Sequence, residues 1–138
     1  MTPMARIEMV VFLQGVDLFT YCNAEQMVRL AAIAGEQHFH RGETIFSRNQ
    51  PPEALYCIVE GSVTLSGGHN GDRVAGVKET IGVTDILSGQ LRTCDATADE
   101  DTRLLAIEAE DFFDLLSNNI EIVKALFRRL TQSARIET

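Results

Sequence analysis

The feature that most constrains this chain is a change of hydrophobic period along its length. Between about residues 36 and 109 the apolar residues come in short runs broken by glycines, and on either side they recur at helical spacing. Phe39, then Arg41-Gly42, then Thr44-Ile45-Phe46 predict a strand, a turn and a strand. Asn49-Gln50-Pro51-Pro52 is a turn, Leu55 to Glu60 is a strand ended by Gly61, and Ser62 to Ser66 alternates again. Gly67 to Asp72 reads as a tight hairpin loop. Val74 to Val77, Ala96 to Ala98 and Arg103 to Ile107 supply further short strands. Many short strands at regular spacing predict an antiparallel barrel or a double-sheet roll.

The flanks predict helices. Ile7, Val10, Val11 and Phe12 mark a helical segment over 5–19 that ends near Gly15. Asn23 is placed as an N-cap with Gln26 three residues later, as a capping box requires, and Met27, Leu30, Ala31 and Ala34 follow at helical spacing to a stop at Gly35. At the other end, Glu110 and Asp111 suit a helix start. Ser117-Asn118-Asn119 interrupts that helix, and Ile120, Val123, Leu126, Phe127 and Leu130 mark a last amphipathic one. Arg128, Arg129 and Arg135 load its C-terminal end, where cations suit the dipole. The expected organisation is one mainly β domain over 1–138: helices over 5–35, a β-roll (jelly roll) over 36–109 and helices over 110–135.

A chain of 138 residues fits one domain that buries its own core. Its formal net charge of −8 argues against a broad nucleic-acid interface, which needs a basic footprint. The N-terminal apolar run, Met9 to Leu13, is too short to span a membrane and follows Glu8 rather than positive charge. Cys22, Cys57 and Cys94 are odd in number and contain no CxxC pair, which points to a reduced, cytoplasmic setting.

Several segments carry a resemblance to a known family. Val16-Asp17-Leu18-Phe19 is similar to the x-x-L-F segment that opens cyclic-nucleotide-binding domains. Arg41-Gly42-Glu43-Thr44-Ile45-Phe46 resembles their x-G-E-x-I-F strand, and Leu55 to Val63 their L-Y-x-I-x-x-G-x-V strand. Asp101 to Ile107 and Asp111-Phe112 resemble the last strand and the helix after it. The match runs over about residues 16–130 in one register. It implies the β-roll of the catabolite activator and protein kinase A regulatory subunit type.

Within that register, Ile81 to Ala98 (IGVTDILSGQLRTCDATA) lies over the family's phosphate-binding cassette, F-G-E-(L/I)-A-L-L followed by P-R-(A/S)-A. The resemblance implies a ligand site at Gly82, Val83, Thr84, Arg92 and Thr93. In that pattern a short helix offers free N–H groups to a phosphate after the glycine. The arginine neutralises the phosphate, and the glutamate after the glycine accepts the ribose 2′-hydroxyl. Here Val83 stands at the glutamate position, Asp85 at the alanine and Leu91 at the proline. A ribose hydroxyl left unpaired costs roughly 1–3 kcal/mol. Arg92 has two readings: a phosphate ligand, or an arginine tied to Asp85 or Asp95. On the first, Arg92→Ala abolishes phosphate-dependent binding and leaves the fold intact.

These features imply a non-enzymatic regulatory module that senses a cyclic nucleotide, cyclic AMP or cyclic GMP, or another phosphate-bearing small molecule, with no resident cofactor. Few residues follow the last helix, so if this is the whole protein the output is expected to pass to a protein partner in trans, with the C-terminal helix a route to that partner or to an oligomer. A degenerate interaction scaffold that binds no nucleotide is the alternative. A distant one is a cupin-like metalloprotein using His38, His40, Glu43 and His69, against which the same histidines read as solvent-facing. Cys57 and Cys22 read as core, Cys94 as near the pocket, and Phe127 or Leu130 as either a cap on a bound base or ordinary helix packing.

Overall fold

The structure, a computed structural model, describes residues 2–69 and 71–134, so Asn70 and Arg135 lie outside it. The first helix, α1 (Arg6–Gln14), is followed by a 3-10 turn (Asp17–Phe19) and by α2 (Ala24–Ile33). The roll is built from β1 (Ala34–Phe39), β2 (Thr44–Phe46), β3 (Ala54–Glu60), β4 (Val63–Ser66), β5 (Arg73–Ala75), β6 (Thr80–Ile81), β7 (Asp95–Ala98) and β8 (Thr102–Glu108). Between β6 and β7 runs α3 (Val83–Ser88), and the described chain ends in α4 (Ala109–Ser117) and α5 (Ile120–Ala134). The strands form two antiparallel sheets, ordered β1-β8-β3-β6 and β2-β7-β4-β5. The expected double-sheet roll with flanking helices is the fold observed.

Two hydrophobic clusters explain why β3 and β8 read as nearly unbroken apolar runs. Leu55 and Cys57 of β3, with Leu105 and Ile107 of β8, face the helices and join Leu13, Phe19, Leu30, Phe112 and Ile122. Their neighbours Tyr56, Ile58, Leu104 and Ala106 face into the roll with Phe46, Val63, Leu65 and Ala75. A strand covered on both faces has no solvent side to keep polar.

Local chemistry sets the helix starts. Asn23 Oδ1 accepts the Gln26 N–H at 2.9 Å and Gln26 Oε1 accepts the Asn23 N–H at 2.9 Å, completing the predicted capping box. Glu110 and Asp111 lie in the first turn of α4 as expected.

Three expectations are corrected. Gly35 does not stop α2: Ala34 is already extended, and Gly35 pairs with Ala106 inside β1, because the chain passes straight from helix to sheet. The strand expected at Val74 to Val77 is Arg73–Ala75, and a further short strand, β6, was not read from the sequence. The buried stripe of α5 is Ile122, Ala125 and Leu126, while Ile120 is 63% and Phe127 61% exposed.

Arg128 and Arg129 lie before the last turn of α5, which holds no basic residue among the described residues, so the expected pairing with the helix dipole is not what places them; their partners are across the bundle. The Arg129 guanidinium bonds both carboxylate oxygens of Asp17, at 3.1 and 2.6 Å. Arg128 lies 4.1 Å over the Tyr21 ring, whose hydroxyl donates to Gln132. These contacts pin α5 to the 3-10 turn and the α2 approach. Among the described residues, no helix is long and apolar enough to cross a membrane.

Candidate functional site

The site is organised by the turn at Gly82. Its φ of +82° lies in the left-handed region, and a side-chain carbon there would meet the Arg92 guanidinium at 2.5 Å. Glycine is needed for both reasons. The chain then enters α3, and Gly89, with a φ of +71°, ends it.

Two adjoining cavities flank this segment. The smaller, about 300 Å³, lies between α3, the loop after it and the inner face of the β4–β5 hairpin; Thr84, Asp85, Thr93, Cys94, Leu65 and Arg73 are among its lining. The larger, about 540 Å³, is a cleft between α3, the β5–β6 segment, the 3-10 turn and α5, reaching Leu18, Thr80, Leu87 and Leu130. Arg73, Gly82 and Thr84 line both. Volumes of roughly 300–1,000 Å³ are typical of small-molecule sites.

The five expected site residues divide between these spaces. Gly82 and Thr84 border both cavities, Val83 only the cleft and Thr93 only the smaller cavity. Arg92 borders neither. It lines a third space of about 180 Å³ with Phe46, Gln50, Glu53 and Tyr56.

The Arg92 side chain is only 1% exposed. One terminal nitrogen donates to the Gly82 carbonyl at 2.9 Å and lies 3.4 Å from Asp85 Oδ2. The other donates to the Ala54 carbonyl, and the guanidinium sits 4.1 Å over the Phe46 ring. Its Nε is buried without a hydrogen-bond partner. Arg92 thus joins α3, β2 and β3 from inside. Its anion is Asp85, the residue at the family's alanine position; Asp95 instead accepts the Arg48 N–H at 2.8 Å.

Cys94 lies at the pocket, as the sequence suggested. Burial pushes its thiol up, and the Asp85 carboxylate adds to that, while Arg73 and Arg92 act the other way. Cys57 is fully buried, and Cys22 is half-buried against the helical cluster. Leu130 lines the cleft, and Phe127 points to solvent. A charged residue that sequence reasoning did not single out, Arg73, lines both cavities. Its signal was the alternation Arg73-Val74-Ala75 across the hairpin from Leu65, hidden because the strand was placed at Val74 to Val77 and so began after Arg73.

His38 lies in β1 and His40 beyond its end, and both are exposed. Glu43 accepts the His40 N–H at 2.6 Å, a turn contact, and His40 Nδ1 is 3.3 Å from Asp101. Among the described residues, no group of three or more His, Cys, Asp or Glu could hold a metal ion.

Comparison with known proteins bears on the family and the fold. A sequence model of a family described as "Cyclic nucleotide-binding domain" matches residues 36–119. The chain is 28% identical over 109 residues to the cyclic AMP receptor protein of Thermus thermophilus, covering 75% of this chain and 50% of that protein. It is 23% identical over 122 residues to the cGMP-dependent 3′,5′-cGMP phosphodiesterase A of Dictyostelium discoideum, covering 88% of this chain and 14% of that one. The chain therefore spans half or less of these relatives. Among solved structures it resembles the N-terminal domain of a transcriptional regulator from Streptomyces coelicolor A3(2), with a TM-score of 0.78, 30% identity, and coverage of 90% and 92% of the two chains. With the roll, the cassette-like turn at Gly82 and a family match over most of its length, this chain belongs to the cyclic nucleotide-binding domain family.

Proposed function

We propose that this domain is a non-catalytic regulatory module that binds a phosphate-bearing small molecule, with cyclic AMP and cyclic GMP the first candidates. The observation that carries the reading is the cavity of about 300 Å³ between α3 and the inner face of the roll. It opens beside Gly82, Thr84 and Thr93, in register with the family's phosphate-binding cassette. The adjoining cleft runs on to Leu130 of α5, so a ligand there would meet the helix best placed to pass a signal to a protein partner.

A second reading is favoured by one specific observation. Arg92, the residue at the family's phosphate-binding arginine, is tied inward to Asp85, and Val83 offers no acceptor to a ribose. A domain built this way would hold its fold with the former ligand arginine and serve as an interaction scaffold.

Thermal-shift titration with cyclic AMP and cyclic GMP separates the two. Ligand at about a hundredfold over Kd adds roughly 2.7 kcal/mol, a rise of several degrees in Tm for a domain of this size. A saturable rise is expected. No shift at millimolar ligand sinks the ligand reading and directs attention to protein partners of the terminal helices.

A further inference from the structure

A ligand anion needs a counter-charge, and Arg92 is committed elsewhere. Hairpin register shows what takes its place. Val63 pairs with Ala75, Thr64 with Val74 and Leu65 with Arg73. Directly opposed residues of an antiparallel pair share a face, and faces alternate along each strand. Val63 and Ala75 are fully buried inside the roll, and Val74 is 62% exposed on the outside. The next inward pair is therefore Leu65 and Arg73. Leu65 is 8% exposed and lines the smaller cavity, so Arg73 starts from the ligand-facing side of the sheet.

Arg73 keeps its charge in water at the mouth of the cavity, its side chain 57% exposed, so the guanidinium stays hydrated and available to an anion bound there. Within the protein its counter-charge is Glu79, at 3.8 Å, with both side chains about half exposed (57% and 50%). Such a pair contributes about 0–1 kcal/mol and is easily exchanged for a better anion. Arg73 borders both the cavity and the cleft, and it is the one arginine or lysine among the described residues lining the smaller cavity. Thr84 and Thr93, two residues with hydroxyl donors, line the same space.

We propose that Arg73, reaching in from the β4–β5 hairpin, is the cationic partner of the ligand's phosphate in this domain, in place of Arg92. This rests on the ligand-binding reading above. The anion would then sit against the sheet side of the cavity, with Asp85 keeping Arg92 locked in the core on the other side of Gly82.

Calorimetric titration of wild type and Arg73→Ala tests it, with cyclic AMP and cyclic GMP as probes and adenosine and guanosine as phosphate-free controls. Wild type should prefer the cyclic nucleotide to its nucleoside. Arg73→Ala should bind the cyclic nucleotide about ten- to a hundredfold more weakly, the worth of one charged hydrogen bond, while nucleoside affinity is unchanged. The exposed Arg73 should not be needed for folding, and an unchanged melting curve for the variant verifies that. If wild type binds the probes and Arg73→Ala matches it, or if the variant weakens nucleoside and cyclic nucleotide alike, the role of Arg73 is overturned and ligand binding stands. Equal wild-type affinity for nucleoside and cyclic nucleotide also overturns it. If wild type binds none of the four, ligand binding and the role of Arg73 fail together.

Discussion

At the scale of single residues, Arg92 shows how one position can serve two purposes. An arginine at this spacing after Gly82 can face a phosphate or face the core, and the choice depends on which anion is nearer. Asp85 supplies that anion from α3, seven residues earlier, at 3.4 Å. Removing one member of a buried ion pair leaves the other charge stranded, a loss of roughly 3–5 kcal/mol. Arg92→Ala should therefore lower the denaturant midpoint strongly with little change in slope. That revises the expectation that the fold would be indifferent to it. A midpoint within error of wild type would show that the tie contributes nothing. Arg73 is the converse case, an exposed charge at the mouth of the cavity with only a loose partner, Glu79, at 3.8 Å.

At the scale of elements, α5 illustrates how an amphipathic pattern leaves the orientation of a helix open. Apolar residues occur almost all round its first three turns, so two stripes compete. In the stripe that wins, Ile122 and Leu126 join the helical cluster with Phe112 and Leu13, and Ala125 is buried beside them. The Asp17–Arg129 pair and the Tyr21 contacts with Arg128 and Gln132 match that rotation, though Asp17 is too exposed for its pair to contribute much. Ile122→Ala should cost about 2–5 kcal/mol by chemical denaturation, because it empties a fully buried site. Phe127→Ala should change stability by less than about 0.5 kcal/mol, since its ring lies in solvent. The reverse ranking would mean that the other stripe is the packed one.

At the scale of the whole molecule, the two-cluster core gives a pH dependence with a definite sign. Burial pushes the Cys57 thiol up to about 12 and the Cys22 thiol up to about 11, from an ordinary 9.0. As pH rises, the unfolded chain loses these protons first and the folded chain holds them. Stability from the neutral thiols is thus fully present below about pH 9 and is lost between about pH 9 and 12. Unfolding midpoints measured across that range should fall, and less steeply in Cys57→Ala. An equal slope in that variant would take Cys57 out of the effect.

What the sequence by itself determined are the properties that neighbours along the chain control. The Asn23–Gln26 capping box and the strand period depend on residues within a few positions, and both are legible in order, whereas the turn at Gly82 and the short helix after it came through the family resemblance. The double-sheet roll follows, since strands that short and that alternating have few other ways to cover their faces. Tertiary structure alone decided the rest: the direction of the Arg92 side chain, the buried face of α5, the passage of Gly35 into a strand and the inward register of Arg73. Arg92 is held by the carbonyl of Ala54, 38 residues away, and Gly35 by Ala106 across the sheet. Partners so distant in sequence compete with local ones only after the chain has closed those loops, so their choice is set by packing rather than by pattern.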